Sequence, residues 1–239
     1  MNADVTALSA RLANLQSCTV GDVLDEMGLQ NQVLAASIRA ISPGMKVAGP
    51  AFCISGGEIS VSRPSSGSRA GKPGYEMFRH MYPGCVAMME TGGYSVGGPW
   101  GENTALSAKV KGCVGAVIDG GTRDSVELAA MGFPVFARFV TPTRVEGRWV
   151  HTAFEVPVKL PGQGGDNVVV EPGDLVIADA DGVVIVPRGI AARAIADSEE
   201  VMLIEGRMRE ELLAGTDREE VYRRHDRFAH IDADEPPAH

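Results

Sequence analysis

The chain has 239 residues, of which 44% are hydrophobic and 22% are charged, and its formal net charge is −9. This length suffices for one large domain with a buried core, and the composition is that of a globular protein. Because binding to a nucleic-acid backbone requires clustered Lys and Arg, the acidic charge and the lack of a basic stripe argue against a nucleic-acid partner.

The cellular setting is indicated by features that the sequence lacks. Its four cysteines are far apart and form no C-x-x-C pair, which predicts reduced thiols and neither a disulfide framework nor a zinc site. The first residues do not show the basic and then apolar pattern of a signal peptide. No apolar run approaches the ~18 residues of a membrane span. We therefore expect a cytoplasmic protein without a membrane partner.

Near the N-terminus, helices are predicted over residues 4–16 and 20–28. Thr19 is suited to cap the start of the second helix, because its hydroxyl can accept a hydrogen bond from a backbone N–H group in the first turn. Gly28 is suited to end the same helix in the left-handed conformation.

Strands are predicted over residues 45–55 and 85–90. The segment between them, residues 56–74, is rich in Gly, Ser, Pro and Arg, which is typical of a long loop. We interpret it as a mobile insert, and a surface loop without function is the alternative.

The middle of the chain alternates between strands and helices, which predicts parallel strands joined by crossovers. In such sheets ligands bind at the carboxyl ends of the strands, where the segments TGGYSVGGPWGEN (91–103) and DGGTRD (119–124) lie. The elements are a helix at 103–111 closed by Gly112, a strand at 113–118, a helix at 125–131 closed by Gly132, and a strand at 134–138.

After residue 140 the pattern is mainly that of short strands separated by Pro-Gly-Asp and Asp-Gly turns. Asp174, Asp179 and Asp181 could form a metal site, but Asp also favours turns through its own side-chain hydrogen bonds, and we prefer that interpretation.

Helices are predicted over residues 190–213 and 216–228, followed by a polar tail. Without internal repeats or a clear linker, residues 1–239 are expected to form one domain, with a helical C-terminal extension (190–228) and a frayed tail (229–239).

The strongest candidate site combines Glu102 with the neighbouring pair Arg123 and Asp124. A helix and a strand fill most of the 20 residues between Glu102 and Arg123, so both loops can meet at one end of the sheet. Two carboxylates are hard oxygen ligands suited to Mg²⁺ or Mn²⁺. The arginine offers a planar charged group to a carboxylate or a developing enolate.

The glycine-rich loop adds a possible anion site, because GGPWGENTA leads into a helix whose first N–H groups lack intrahelical acceptors. A metal, an arginine and an anion site together suit a 2-oxo acid substrate. Each residue also has an ordinary explanation. Asp124 can cap the helix that begins D-S-V-E, Glu102 can complement a helix dipole, and Arg123 can be a solvated side chain. The spacing leaves both interpretations open.

Several segments resemble the RraA-like family over roughly residues 15–205. They are TVGDVLDEMG (19–28), GPAF (49–52), the long stretch 101–138, which is the most specific, and PGDLVIADADGVVIVP (172–187). That family contains the class II 4-hydroxy-4-methyl-2-oxoglutarate / 4-carboxy-4-hydroxy-2-oxoadipate aldolases and the regulator of ribonuclease E activity. The resemblance implies an α/β fold of the swivelling β/β/α type with a central sheet and flanking helices. It also implies a homotrimer or a homohexamer built from two trimers, with sites near subunit interfaces.

The resemblance to the aldolase branch also implies roles for individual residues. Asp124 would anchor the divalent metal, partly through water, and Arg123 would contact the pyruvate moiety. Backbone amides would hold the pyruvate carboxylate, and they belong to Gly101, Glu102, Asn103 and Thr104. Glu102 stands where those aldolases have Asp, and the insert at 56–74 is longer than the family's connection.

The first hypothesis is a metal-dependent lyase that cleaves a 4-hydroxy-2-oxo di- or tricarboxylate to pyruvate and a second oxo acid, with oxaloacetate decarboxylation as a side activity. A water would relay the proton, because His80 and His151 are expected to be structural or surface residues. One alternative is a non-catalytic regulator that binds a ribonuclease or a helicase. The other is a related lyase with a different substrate derived from an aromatic-degradation pathway.

Overall fold

The computed structural model describes residues 3–59 and 73–232. Within these ranges the helices are α1 (Ala3–Leu12), α2 (Ser17–Glu26), α3 (Pro73–His80), α4 (Glu102–Val110), α5 (Ser125–Ala130), α6 (Ala191–Leu213) and α7 (Arg218–Arg224). The strands are β1 (Arg39–Ala40), β2 (Val47–Glu58), β3 (Val86–Glu90), β4 (Gly115–Thr122), β5 (Val135–Val140), β6 (Trp149–Phe154), β7 (Val158–Pro161), β8 (Asn167–Val170), β9 (Leu175–Ala178) and β10 (Val183–Val186).

The strands form a mixed sheet in the order β1-β5-β4-β3-β2-β9-β10, and β6 also pairs with β2. The central strands β2, β3, β4 and β5 are parallel. Helices α4 and α5 connect β3, β4 and β5, as the alternation in the sequence predicted. β9 and β10 are antiparallel, and β7 and β8 form a separate hairpin. The predicted α/β class, a central sheet with flanking helices, is confirmed.

Both faces of the central sheet are buried, which explains why its strands are apolar almost throughout. Successive strand residues point to opposite faces, so Ile118 packs with Leu128 and Phe133 in one core cluster. Val117 belongs to a second cluster that includes Leu160 of the β7–β8 hairpin. A third cluster joins α1, α2 and α6 to β9 and β10. The sheet is therefore a rigid base for the loops at its carboxyl end.

The predicted cap of α2 at Thr19 is wrong. The helix begins two residues earlier, at Ser17, and its N-cap residue Gln16 makes no side-chain hydrogen bond to it. The capping oxygens come from Asp179, which accepts hydrogen bonds from the Ser17 N–H (2.8 Å) and the Ser17 hydroxyl (2.5 Å). The predicted helix end is confirmed, because Gly28 has φ 84°.

The interpretation of Asp174 and Asp179 as turn residues is supported. The Asp174 carboxylate accepts hydrogen bonds from the N–H groups of Glu171 (2.9 Å) and Arg188 (3.0 Å). Besides capping α2, Asp179 accepts one from the N–H of Asp181 (3.0 Å). Among the residues that the structure describes, no group of three or more His, Cys, Asp or Glu side chains is arranged to hold a metal ion.

The segment predicted as an insert lies mostly outside the described residues. Its first residues belong to β2, which extends to Glu58 instead of ending at residue 55, and α3 begins at Pro73. Residues 60–72 are not described. In the described part of the chain, no helix is both long and apolar enough to span a membrane.

The C-terminal extension contains the two predicted helices, α6 and α7, and Asp217 caps α7 by accepting hydrogen bonds from the first-turn N–H groups of Glu219 and Glu220. The described part of the predicted tail contacts the body of the protein. Ile231 packs on the third core cluster, and the Arg193 guanidinium donates to the Asp232 carbonyl (2.6 Å). The remaining tail, residues 233–239, lies outside the described range.

Candidate active site

Two loops meet at the carboxyl ends of β3 and β4. The first, residues 91–101, leads from β3 into α4, and the second leads from β4 into α5. The N–H of Arg123 and the hydroxyl of Thr122 both donate to the carbonyl of Trp100, at 3.0 and 3.1 Å. The 20-residue spacing therefore does bring the two loops side by side, as the sequence predicted.

Glycines make this close approach possible. A Cβ atom added at Gly98 would lie 2.8 Å from the carbonyl carbon of Thr122. One added at Gly101 would lie 2.6 Å from Oδ2 of Asp124 and 2.7 Å from Cγ of Arg123. Since Cβ atoms do not approach other atoms this closely, a side chain at position 98 would push the two loops apart. One at position 101 would displace the side chains of Asp124 and Arg123.

Asp124 does not use its side chain to cap α5, so the N-cap interpretation of this carboxylate is wrong. Asp124 occupies the N-cap position of α5, but its backbone is left-handed, with φ 57° and ψ 42°. Its carboxylate makes no hydrogen bond to the helix that follows. Instead, Oδ2 accepts a hydrogen bond from the N–H of Glu102 (3.0 Å) on the other loop. Left-handed backbone in a residue other than glycine is uncommon and concentrates at functional sites.

Arg123 forms an ion pair with Asp124, with Nε 3.2 Å from Oδ1. Its side chain is 38% exposed and that of Asp124 is 29% exposed. A guanidinium has five N–H donors. Among the described residues only Nε has a partner, so both Nη atoms are free to bind a planar oxygen-bearing group.

Glu102 is the first residue of α4 and is exposed. Its carboxylate makes no hydrogen bond or ion pair with the described part of the chain, whereas its N–H is engaged by Asp124. The expectation that this N–H binds a substrate carboxylate is therefore not met in this arrangement. The first-turn N–H groups of Asn103 and Thr104 remain, and helix starts leave such donors without intrahelical acceptors.

A row of polar side chains crosses four neighbouring strands behind the two loops. Ser55 pairs in register with Glu90, and its hydroxyl donates to the Glu90 carboxylate (3.2 Å). On the next strands the buried Asp119 forms an ion pair with Arg138 (3.1 Å). Burial raises the pKa of Asp119, and the contact with Arg138 opposes that rise.

Sequence reasoning missed this row. Its only signal was a polar residue at or directly after the end of each predicted strand, and the pairing of strands that brings these residues together is not visible in a single sequence.

The two mid-chain histidines have packing roles, in agreement with the sequence analysis. The His151 ring packs edge-on against Trp149, with centroids 4.8 Å apart. Burial lowers the pKa of His151 to about 4, so the ring is neutral at pH 7. His80 stacks on Phe154. A surface cavity of about 320 Å³ lies elsewhere, at the amino end of β5, where Pro134 and Lys46 are among its lining residues.

A family model described as Aldolase/RraA matches residues 17–185. An uncharacterized protein of Methanocaldococcus jannaschii is 35% identical over 122 residues, which is 51% of this chain and 56% of that protein. The chain thus spans little more than half the length of this relative.

A Halalkalibacterium halodurans protein named "Putative 4-hydroxy-4-methyl-2-oxoglutarate aldolase" is 31% identical over 173 residues, or 71% of each chain. Among solved structures, Streptomyces coelicolor RraAS2 matches with a TM-score of 0.72 and 26% identity. The match covers 87% of this chain and 97% of that one. RraAS2 is described as an unusual member of the RNase ES inhibitor RraA protein family.

Proposed function

Because the chain belongs to the Aldolase/RraA family, we propose that it is a divalent-metal-dependent lyase of the pyruvate-aldolase type. Its substrate would be a 4-hydroxy-2-oxo di- or tricarboxylate, cleaved to pyruvate and a second oxo acid, with oxaloacetate decarboxylation as a side activity. The observation that carries the proposal is the Asp124 carboxylate, which is turned away from its own helix and held beside Arg123 and α4.

The residues present fit a divalent metal. The Asp124 carboxylate is partly exposed, and each of its oxygens has one partner. The Glu102 carboxylate has no partner in the described part of the chain, and it belongs to the residue whose N–H Asp124 accepts. The space beside Oδ2 of Asp124 would be filled by a Cβ atom at Gly101. Hard carboxylate oxygens suit Mg²⁺ or Mn²⁺, which retain several waters. When bound, the ion would act as a Lewis acid that polarises the substrate's C2 carbonyl.

The residues of the chain would divide the remaining work. The N–H groups of Asn103 and Thr104, at the positive end of α4, would hold the substrate carboxylate. The free Nη atoms of Arg123 would stabilise the charge that develops on the C2 oxygen as the C3–C4 bond breaks. A water held by Arg123 would take the proton of the C4 hydroxyl as this bond breaks and return it to C3 of the resulting enolate, which leaves pyruvate and the carbonyl of the second oxo acid. Loss of CO₂ from oxaloacetate passes through the same enolate.

A second candidate is a regulator that binds a ribonuclease or a helicase, and the likeness to RraAS2 favours it. A regulator without chemistry, however, has no need for Asp124 in a left-handed conformation or for an arginine with free donors beside it. A related lyase acting on a substrate from an aromatic-degradation pathway would use the same residues. Residues 60–72, which are outside the described ranges, would then bear on selectivity.

We also propose that the protein acts as a homotrimer or a homohexamer. Large apolar side chains are exposed on the two helices that start at the site: Leu106 (50%), Val110 (77%) and Val126 (74%). Exposed apolar surface is typical of protein interfaces when it is contiguous, and Leu106 and Val110 are one helical turn apart on α4. Light scattering on the purified protein would give the number of subunits, and a monomeric mass would refute the assembly.

The lyase proposal is tested with a panel of 4-hydroxy-2-oxo acids and oxaloacetate, each incubated with Mg²⁺ or Mn²⁺ and, separately, with EDTA. Pyruvate is measured by its reduction with NADH and lactate dehydrogenase. We expect pyruvate from at least one tricarboxylate or dicarboxylate, and none in EDTA. If no compound on the panel yields pyruvate while the protein inhibits a ribonuclease, the regulator is the correct function.

A further inference from the structure

The two loops of the candidate site are joined at their base as well as at their tips. Thr91, the first residue after β3, is fully buried, and its hydroxyl donates to the carbonyl of Asp119 on β4. The carbonyl of Thr91 in turn accepts a hydrogen bond from Nε1 of Trp149 (3.0 Å). A Cβ atom added at Gly120 would lie 2.8 Å from the Thr91 methyl carbon. Thr91 therefore fixes the start of both loops.

The contact at Asp119 coincides with a break in strand pairing. Ile118 is paired with Ala137, and pairing resumes with Gly121 opposite Phe139. Two residues of β4, Asp119 and Gly120, therefore face the single residue Arg138 of β5. Such a bulge bends a strand and changes the direction in which later side chains point. Arg123 and Asp124 follow directly after this bulge.

The ion pair between Asp119 and Arg138 spans the bulge. Asp119 is buried, whereas the Arg138 side chain is 42% exposed. A buried carboxylate is stable only with a partner, so the pair favours the one register in which Asp119 faces Arg138. The bulge is thus held from two sides, by Thr91 on the β3 side and by Arg138 on the β5 side.

We infer that Thr91 and the Asp119–Arg138 pair are positioning residues of the lyase, which fix the bulge that aims Arg123 and Asp124 at the α4 loop. This inference rests on the proposed function for its effect on turnover. The geometric part of the inference does not depend on the reaction, because it rests on the hydrogen bond of Thr91 to Asp119 and on the ion pair of Asp119 with Arg138.

The test compares Thr91→Val, which keeps the shape and removes the hydroxyl, with Thr91→Ser, which keeps the hydroxyl and removes the methyl group. Ser198→Ala is the matched control, because Ser198 is also fully buried and its hydroxyl donates to a carbonyl, that of Ala194 in α6. Arg138→Met and Arg138→Lys form a second pair. Because Arg138→Met leaves the buried Asp119 without its partner, urea unfolding first establishes that each variant is folded.

Two quantities are measured for each variant. The first is turnover, as kcat and KM for pyruvate release. The second is the rate of amide hydrogen exchange at Glu102 and Arg123, whose N–H groups donate hydrogen bonds from one loop to the other. We expect Thr91→Val and Arg138→Met to lower kcat by about ten- to a hundredfold, since a 1 Å misplacement can have an effect of this size. Exchange at both amides should accelerate relative to amides of α6. In Thr91→Ser and Arg138→Lys, kcat and the two exchange rates should be close to those of the wild-type protein.

If Thr91→Val and Arg138→Met behave like Ser198→Ala in turnover and in exchange at Glu102 and Arg123, the residues are merely structural and the inference is refuted. Should the wild-type protein release no pyruvate, the proposed function fails, and the exchange measurements alone decide whether these residues position the loops.

Discussion

Aspartates stand in glycine-containing turns in two regions of the chain, in the DGGTRD segment that ends at Asp124 and in the turns that carry Asp174 and Asp179. In the second region the carboxylates accept hydrogen bonds from backbone N–H groups of the surrounding turns, and Asp174 is buried. In the first region, the Asp124 carboxylate makes no hydrogen bond to the helix that follows it. It accepts a hydrogen bond from the N–H of Glu102 at the start of α4, and it is partly exposed. Identical side chains therefore either stabilise a turn or remain available to a ligand, according to which donors reach their oxygens.

The same substitution in both regions gives the largest expected contrast. Asp124→Asn keeps a residue that tolerates the left-handed conformation but removes the charged ligand, so we expect turnover to fall by roughly 10³-fold. Its free energy of unfolding should change by less than about 1 kcal/mol. Asp174→Asn should leave turnover per folded molecule unchanged and lower the free energy of unfolding by about 1–2 kcal/mol, because an amide meets backbone N–H donors. Pyruvate release and urea unfolding measure both. Full turnover in Asp124→Asn would contradict the comparison.

Arg123→Lys tests whether the Arg123 guanidinium, beside Asp124 in the first region, takes part in the reaction. Lysine keeps the charge but loses the planar two-point contact, and we expect kcat to fall about 10²-fold for both aldol cleavage and oxaloacetate decarboxylation. Metal affinity, measured by titration calorimetry, should change little because arginine is not a ligand. A loss confined to one of the two reactions would show that they do not share an Arg123-stabilised enolate.

Substitutions at Glu102 should have a smaller effect, which appears mainly in metal affinity. Glu102→Gln removes a charged oxygen while keeping the shape, and we expect metal binding to weaken roughly tenfold. Glu102→Asp should bind the metal and turn over at near wild-type levels, since the carboxylate is retained and the neighbouring backbone contact is unchanged. Equal affinities in calorimetry for wild type and Glu102→Gln would remove Glu102 from the metal site.

The smallest expected effect is on the pH dependence of stability in the second region. Burial raises the pKa of Asp174 above its ordinary value of 3.8, and hydrogen bonds from Arg188 and Glu171 only partly oppose it. The folded protein then binds this proton more tightly than the unfolded chain, so the stabilisation is present below pH 3.8 and is lost as the pH rises through the folded pKa. The stability advantage of wild type over Asp174→Asn should therefore shrink with rising pH across that window. An advantage that grows instead, in urea unfolding at several pH values, would mean that burial does not dominate at Asp174.

The order of strands and helices around the site was predictable from the sequence, because apolar runs, glycines at helix ends and the 20-residue spacing are local signals. The orientation of the Asp124 carboxylate was not predictable. The segment D-S-V-E also begins capped helices, and the sequence does not show the left-handed backbone that turns the carboxylate away from α5. The cap of α2 was mispredicted because the residue that accepts the hydrogen bond from the Ser17 N–H is Asp179, which is 162 positions away in the sequence. The Asp119–Arg138 pair depends on strand register, which a single sequence does not reveal.

The missing side chain at Gly101 has a consequence for engineering this protein. Any larger residue there would displace the side chains of Asp124 and Arg123, so a saturation library at this position that is selected for pyruvate release should return mainly the parental codon. Glu102, one residue later, is exposed and should accept a broad range of amino acids among variants selected for folding alone. Two neighbouring positions therefore differ in their tolerance to substitution, which is low at position 101 and high at position 102. A change of substrate preference is therefore best sought at Asn103 and Thr104, outside the packed junction of the loops.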